Sequence, residues 1–133
     1  MTPAFRIPVI SLHGTLIVSL QVALSDVLLE QLKADVGAGL ERGARGLAVD
    51  LSGVDLLDSY LSRAMRDLAL LAGVMGVPTV ICGMDPTTAV TLVEMGLDLS
   101  ELRTALDLEA ALDDLGPASS WVPVEAASSW SSN

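Results

Sequence analysis

The sequence predicts a single α/β domain that contains a mixed β-sheet of four to five strands and about four helices. Short apolar runs alternate with longer segments in which apolar residues recur every three or four positions, and these are the patterns of buried strands and amphipathic helices. Hydrophobic residues make up 51% of the 133 residues, which is enough to bury one core. We therefore expect residues 1–115 to form one folded domain.

The first half of the chain is expected to supply a hairpin, a helix and a central strand. Residues 7–18 form two apolar runs around His13-Gly14, the pattern of an antiparallel hairpin. The run 47–51 is predicted to be a strand with both faces buried. The intervening helix has a predicted apolar face of Leu24, Val27, Leu28, Leu32, Val36 and Leu40. Its expected caps are Ser25 and Asp26 at the start and Gly43 at the end.

The second half is expected to continue the alternation of helices and strands. We predict a helix over residues 59–75, a strand over 79–82 reached by a right-handed crossover, and a helix over 87–95. A short strand over 102–106 and a helix over 107–115 complete the domain.

The last residues differ in composition from the predicted domain. Residues 117–133 contain six serines and neither lysine nor arginine, so residues 116–133 are expected to be a disordered tail. A weak Ser-Ser-Trp repeat ends at Trp121 and at Trp130. It can be either a docking motif or sequence without a role.

The net charge of −10 excludes several classes of partner. The chain has seven basic residues and no basic stripe that could neutralise phosphates, so we expect neither nucleic acid nor an anionic membrane surface as a partner. No apolar run approaches the roughly 20 residues of a membrane span. A soluble cytosolic protein is therefore expected.

The sequence lacks the residues that the common enzymatic mechanisms require. The sequence has no phosphate-binding loop of the G-x-x-x-x-G-K-[ST] type. Cys82 lies within an apolar run and is predicted to be a buried core residue, while His13, the single histidine, lies in the predicted hairpin turn. We expect no catalytic residue, no metal site and no cofactor.

Ser59 is the first functional candidate, because it stands where a strand and a short loop lead into a helix. A hydrolase nucleophile would need a base, but its sequence neighbours are Asp55 and Asp58. A receiver-type phosphoacceptor at Asp50 would need Mg²⁺ carboxylates after the first strand and a lysine after the last, which the sequence lacks. The alternative that Asp58 and Ser59 only cap the helix stays open.

The predicted helix over residues 59–75 is apolar nearly all round. Such a helix needs a second burial partner besides the sheet, so we predict that it contributes an intermolecular surface. Its predicted core residues are Leu61, Ala64, Met65, Leu68 and Ala72, and the apolar residues off this stripe are Tyr60, Leu70, Leu71 and Val74.

Three stretches carry a resemblance to a known family. They are residues 7–13, the D-x-S-G-x-x-x-x-D-S pattern over residues 50–59, and Gly-x-x-Pro over 83–86 followed by Thr-x-x-Glu-x-Gly over 91–96. Over residues 8–115 the chain resembles STAS domains, the fold of bacterial anti-sigma-factor antagonists. Within that family it is most similar to the small single-domain subunits of stressosomes.

The resemblance implies a non-enzymatic scaffold and phosphorylation switch. Partners implied by it are sensor-type STAS paralogues in a large oligomeric shell, a serine/threonine switch kinase and a cognate phosphatase. Ser59 corresponds to the phosphorylated serine of the family, and Thr91 is a weaker second candidate. The expected partner-binding residues are Asp55, Asp58, Ser59, Tyr60, Leu70 and Val74. The alternative is a ligand-binding or transporter-associated STAS module.

Overall fold

The computed structural model describes residues 7–20, 25–54, 59–94, 96 and 103–116. This part of the chain contains five strands and four helices in the predicted order. The elements are β1 (Val9–Leu12), β2 (Thr15–Ser19), α1 (Asp26–Glu41), β3 (Gly46–Asp50), α2 (Ser59–Val74), β4 (Thr79–Cys82), α3 (Pro86–Glu94), β5 (Arg103–Ala105) and α4 (Leu108–Leu115).

The strands form one mixed sheet in the order β1-β2-β3-β4-β5. β1 and β2 are antiparallel, whereas β2 through β5 pair in parallel. The β1–β2 turn places His13 at φ 51° and Gly14 at φ 85°, the left-handed conformations that a two-residue hairpin turn requires. The predicted hairpin and mixed sheet are thus confirmed.

The two faces of the sheet are covered by different helices. One face packs against α1 and α2, and we call it the α1/α2 face. The other face packs against α4, and we call it the α4 face. β3 shows the alternation between the faces, because Leu47 and Val49 point to the first face and Ala48 to the second. Sheet residues on the α1/α2 face are Leu16, Val18, Leu47, Val49 and Ile81, and those on the α4 face are Ile17, Ala48, Val80 and Cys82.

Short polar side chains start three of the helices. Ser25 accepts a hydrogen bond from the amide of Leu28 at the start of α1, and Asp107 does the same for Ala110 in α4. At α3, Asp85 accepts from the amide of Thr88 at 2.7 Å. This bond lowers the pKa of Asp85 below its usual value. Each contact satisfies an amide that the first helical turn leaves free.

The structure corrects two predicted core assignments. Val27 was placed on the apolar face of α1, but it is 67% exposed and the neighbouring Leu29 is buried instead. Leu71 was placed off the core stripe of α2, yet it packs against the core on the α1/α2 face. Sequence periodicity does not specify how α1 and α2 lie on the sheet, which decides such positions at the margin of an apolar face. Leu24 and the predicted tail over 117–133 lie outside the described residues.

Candidate functional site

Ser59 is exposed and is the first residue of α2. The helix follows the carboxyl end of β3, the middle strand of the five-stranded sheet. α2 is held on the sheet by the predicted core stripe, all five residues of which are buried. Because Leu61 already points into this core, the side chain of Ser59, two positions earlier, lies on a different side of the helix. The serine hydroxyl is therefore accessible on a firmly packed helix.

The loop between β3 and α2 starts with a tight turn. The amide of Leu51 donates to the carbonyl oxygen of Cys82 at 2.9 Å, and the amide of Val54 donates to the carbonyl oxygen of Leu51 at 2.9 Å. The carboxylate of Asp50 accepts from the amide of Ser52 at 3.0 Å. Asp50 thus has a local structural role in this turn.

Gly83 allows a second loop to pack closely against this turn. It has φ +77°, and a Cβ built on it would lie 2.7 Å from the Ser52 nitrogen and 2.8 Å from Oδ1 of Asp50. A side chain cannot occupy that space. The amide of Gly83 also donates to the carbonyl oxygen of Leu106 at 3.2 Å, so the ends of β3, β4 and β5 are tied together here.

Arg63 lies one helical turn after Ser59 and brings a positive charge to the start of α2. Its guanidinium is 5.9 Å from the centre of the Tyr60 ring and 3.9 Å from Oδ1 of Asp26 at the start of α1. The Arg63 and Asp26 side chains are 54% and 73% exposed, so this ion pair contributes little to stability. Asp55 and Asp58, which are expected to bind a partner together with Ser59, lie outside the described residues.

Thr91, the second candidate, lies on α3 with its hydroxyl already engaged. Oγ1 of Thr91 donates to the carbonyl oxygen of Thr87 at 2.9 Å, a bond that threonine commonly forms within helices. The side chain is half-buried. A modifying enzyme would have to break this bond, whereas no such bond to Ser59 occurs among the described contacts.

The predicted partner-binding residues of α2 are exposed and fall into two groups. Tyr60, adjacent to Ser59, is 40% exposed, while Leu70 and Val74 are 59% and 85% exposed. At 1.5 Å per residue, Leu70 and Val74 lie about 16 to 23 Å along the helix from Ser59. The apolar end of α2 is therefore separate from its serine end.

The remaining titratable candidates are placed where they cannot assist Ser59. His13 lies at the hairpin turn, beside the start of β3 rather than its carboxyl end. Cys82 is fully buried, and burial, with smaller contributions from Asp50 and Asp107, raises its thiol pKa to about 12. Within the described ranges no group of three or more His, Cys, Asp or Glu side chains could hold a metal ion. No described helix is long and apolar enough to cross a bilayer.

Two residues of this region were not predicted from the sequence. Gly83 was noted only as part of a family pattern, although a glycine directly after a strand is a signal for a close backbone approach. Arg63 is not among the predicted site residues, although residues four apart on a helix are neighbours and this spacing relates it to Ser59.

The STAS domain family model matches residues 6–111. RsbS of Moorella thermoacetica, solved as a serine-to-glutamate variant, is 31% identical with a TM-score of 0.75, and the match covers 82% of this chain and 93% of that one. A chain from a structure of the stressosome, which is described as a signal integration and transduction hub, is 29% identical with a TM-score of 0.68. That match covers 86% of this chain and 100% of the stressosome chain.

A curated relative extends the comparison to a longer protein. The RsbT co-antagonist protein RsbRD of Bacillus subtilis is 33% identical over 70 residues, which are 53% of this chain and 25% of the relative. The match therefore spans about a quarter of RsbRD. The family model covers most of this chain, and the fold agrees with the predicted one. The chain belongs to the STAS domain family of anti-sigma-factor antagonists.

Proposed function

We propose that this protein is a non-enzymatic, cytoplasmic scaffold and phosphorylation switch of a stressosome-like complex, and that Ser59 is its phosphoacceptor. The observation that carries the proposal is the exposed position of Ser59 at the start of α2. The similarity to RsbS over most of both chains supports it. Regulation of stress signalling, through a sigma factor or another output, is the corresponding role.

A phosphate on Ser59 is compatible with the fold. Phosphoserine adds a charge of about −1.5 to −2 at neutral pH. At a helix start the free amides and the helix dipole favour negative charge, and the α2 core stripe lies on another side of the helix. Phosphorylation should therefore change the surface around Ser59 without unfolding the domain.

The proposed partners are sensor-type STAS paralogues, a serine/threonine switch kinase and a cognate phosphatase. The similarity to a stressosome chain and to an RsbT co-antagonist supports assembly with paralogues. The exposed apolar residues Leu70 and Val74 offer a surface for such assembly. Since they lie far from Ser59 along α2, assembly and switching can use different parts of one helix.

The kinase is expected to bind near Ser59 and to leave after phosphorylation. Added negative charge acts over about one Debye length, on the order of 8 Å, which reaches Tyr60 and Arg63 but not Val74. Phosphate at a desolvated contact should weaken binding by about 1 to 3 kcal/mol. A Ser59→Asp substitution, with one charge and fewer oxygens, should reproduce about 1 kcal/mol of this.

The test of the acceptor is labelling with the cognate kinase. Ser59→Ala should remain unlabelled, whereas the matched control Ser62→Ala, one turn along the same helix, should be labelled like the wild type. Thr91→Ala, compared with Thr88→Ala, measures any contribution of the second candidate. Undiminished labelling of Ser59→Ala would contradict the proposed acceptor.

The scaffold role is tested separately by the mass of the assembled protein. Purified alone and with a sensor-type paralogue, the wild type should form large complexes in sedimentation. Leu70→Asp should reduce their size, while Val93→Asp on α3, with the same 59% exposure, should not. If a folded wild type stays monomeric with every paralogue, a ligand-binding or transporter-associated STAS module becomes the better interpretation.

A further inference from the structure

The side chain of Arg63 reaches from the second turn of α2 back toward the start of the helix. Its guanidinium lies 5.9 Å from the centre of the Tyr60 ring, and Tyr60 directly follows Ser59. The guanidinium also lies 3.9 Å from Oδ1 of Asp26, the first residue of α1. Long side chains on helices commonly point in this direction. Arg63 is therefore directed toward the helical turn that carries Ser59.

Ser59 and Arg63 are neighbours on the surface of α2. Both are exposed, and residues four apart on a helix have Cβ atoms about 5 to 6 Å apart. An arginine side chain can span this gap. An acidic group placed four residues before a basic one is the favoured order, because it also suits the helix dipole. A phosphate on Ser59 would therefore lie within reach of Arg63.

The contact of Arg63 with Asp26 is weak enough to be exchanged. At 3.9 Å it is an ion pair rather than a hydrogen bond, and both side chains are more than half exposed, so water screens much of their attraction. Asp26 also lies in the first turn of α1, where the helix dipole favours its negative charge without Arg63. A phosphate offers more charge and oxygens that can accept two parallel hydrogen bonds from a guanidinium.

The other described basic residues are farther from Ser59 or already paired. Arg66 lies seven residues along α2, about 10 Å from Ser59 at 1.5 Å per residue. Lys33 contacts Glu30 at 2.8 Å and Asp67 at 3.5 Å. The remaining three lie at or before the amino ends of β3 and β5, away from the carboxyl end of β3, and they are Arg42, Arg45 and Arg103.

We propose that Arg63 binds the phosphate once Ser59 is phosphorylated, and that it leaves Asp26 to do so. This inference rests on the proposed phosphorylation of Ser59. The exchange turns the guanidinium from a charge available to a docked kinase into the counter-ion of the phosphate. Asp26 loses this ion pair at the same time. Phosphorylation of α2 would thereby change the charged surface at the starts of both α1 and α2.

Phosphoserine inserted at position 59 during translation tests the inference without a kinase. Phosphorus NMR then measures the second pKa of the phosphate, which is about 6 in unperturbed phosphoserine. A guanidinium in contact favours the dianion and lowers this pKa, so Arg63→Gln should raise it by about half a pH unit. The control Arg66→Gln removes an exposed arginine of the same helix and should leave the pKa nearly unchanged.

A second measurement reports on the contact itself. The NMR signal of the Arg63 Nε–H group, identified by its absence in Arg63→Gln, should shift when phosphoserine replaces Ser59, whereas the Arg66 signal should not. Asp26, Asp55 and Asp58 are present in every protein compared, so their charges cancel in the differences.

Two results would overturn the inference. One is a phosphate pKa that is the same with and without the Arg63 guanidinium, and the other is an Arg63 signal that does not move. Failure of a kinase to label Ser59 would instead contradict the proposed acceptor. The two failures are distinguishable, because the phosphate is installed here without any kinase.

Discussion

The α1/α2 face and the α4 face of the sheet differ in how many buried residues pack on them. Within the described residues, the cluster on the α1/α2 face contains eighteen buried residues, and the cluster on the α4 face contains five. Central strand β3 offers Leu47 and Val49 to the first face but only Ala48 to the second. The α1/α2 face, with the larger cluster, holds α2, which begins at Ser59. The α4 face, with the smaller cluster, leaves Ile10 and Leu12 exposed.

This difference indicates how the domain can carry a switch. Ser59 begins a helix that rests on the better-packed face, so a charge added there acts on a rigid surface. The α4 face, with the smaller cluster, contributes less to stability. Four predictions test or sharpen this division of roles.

The largest effect is expected from a cavity on the α1/α2 face. Leu68→Ala in α2 should lower the free energy of unfolding by about 3 kcal/mol or more, because the fully buried side chain leaves a cavity that its neighbours cannot fill. Leu112→Ala in α4, where the leucine is half-buried, should cost about 1 kcal/mol. Urea denaturation measures both values, and equal losses would contradict the proposed difference between the faces.

A somewhat smaller effect is expected at the loop junction before Ser59. Gly83→Ala should lower stability by about 2 to 3 kcal/mol, because alanine is strained at a positive φ and its Cβ would overlap with Ser52 and Asp50. Gly76→Ala is the control, with φ +74° but nothing within 4 Å of the added Cβ, and should cost only about 1 kcal/mol. Comparing the two melting curves separates the cost of backbone strain, which both variants have, from the cost of steric overlap, which only Gly83→Ala has. Similar losses would show that the close approach is not stabilising.

Cys82 on the α4 face should lower the free energy of unfolding as the pH becomes alkaline. Burial raises the pKa of the Cys82 thiol from its usual 9.0 to about 12, so the folded state holds the proton more tightly than the unfolded state. This contribution is complete below pH 9 and is lost as pH rises toward 12, by about 1 kcal/mol at pH 10. In Cys82→Ala this part of the pH dependence should be absent. Native Cys82 should also resist thiol reagents at pH 8, and rapid labelling without unfolding would contradict its burial.

The smallest effect on stability is expected at Ser59 itself. Ser59→Asp should change the free energy of unfolding by less than about 1 kcal/mol, because an acidic residue is tolerated in the first turn of a helix. Ser62→Asp serves as a control within the same helix. Thermal unfolding and binding of the kinase should be measured on the same samples. A large loss of stability in Ser59→Asp would indicate steric disruption, and tighter kinase binding would reverse the proposed direction of the switch.

Much of the architecture could be predicted because local patterns specify it. The hairpin turn at His13-Gly14 and the core stripe of α2 follow from turn chemistry and from helical periodicity, and both are confirmed. The position of Ser59 at a helix start was predicted for the same reason. Its modification and its partners remain predictions, because they depend on another protein.

Other features could not be predicted because they depend on how elements meet. The partial burial of Leu71 and the exposure of Val27 follow from how α1 and α2 lie on the sheet. Gly83 contacts a loop about 30 residues earlier in the chain, and Ile10 is exposed because α4 lies over other strands. The sequence by itself determined the elements, their order and a serine at a helix start, since periodicity, caps and turns are local. Only the tertiary structure decided which side chains share a face and which stay uncovered, because those depend on contacts between distant segments.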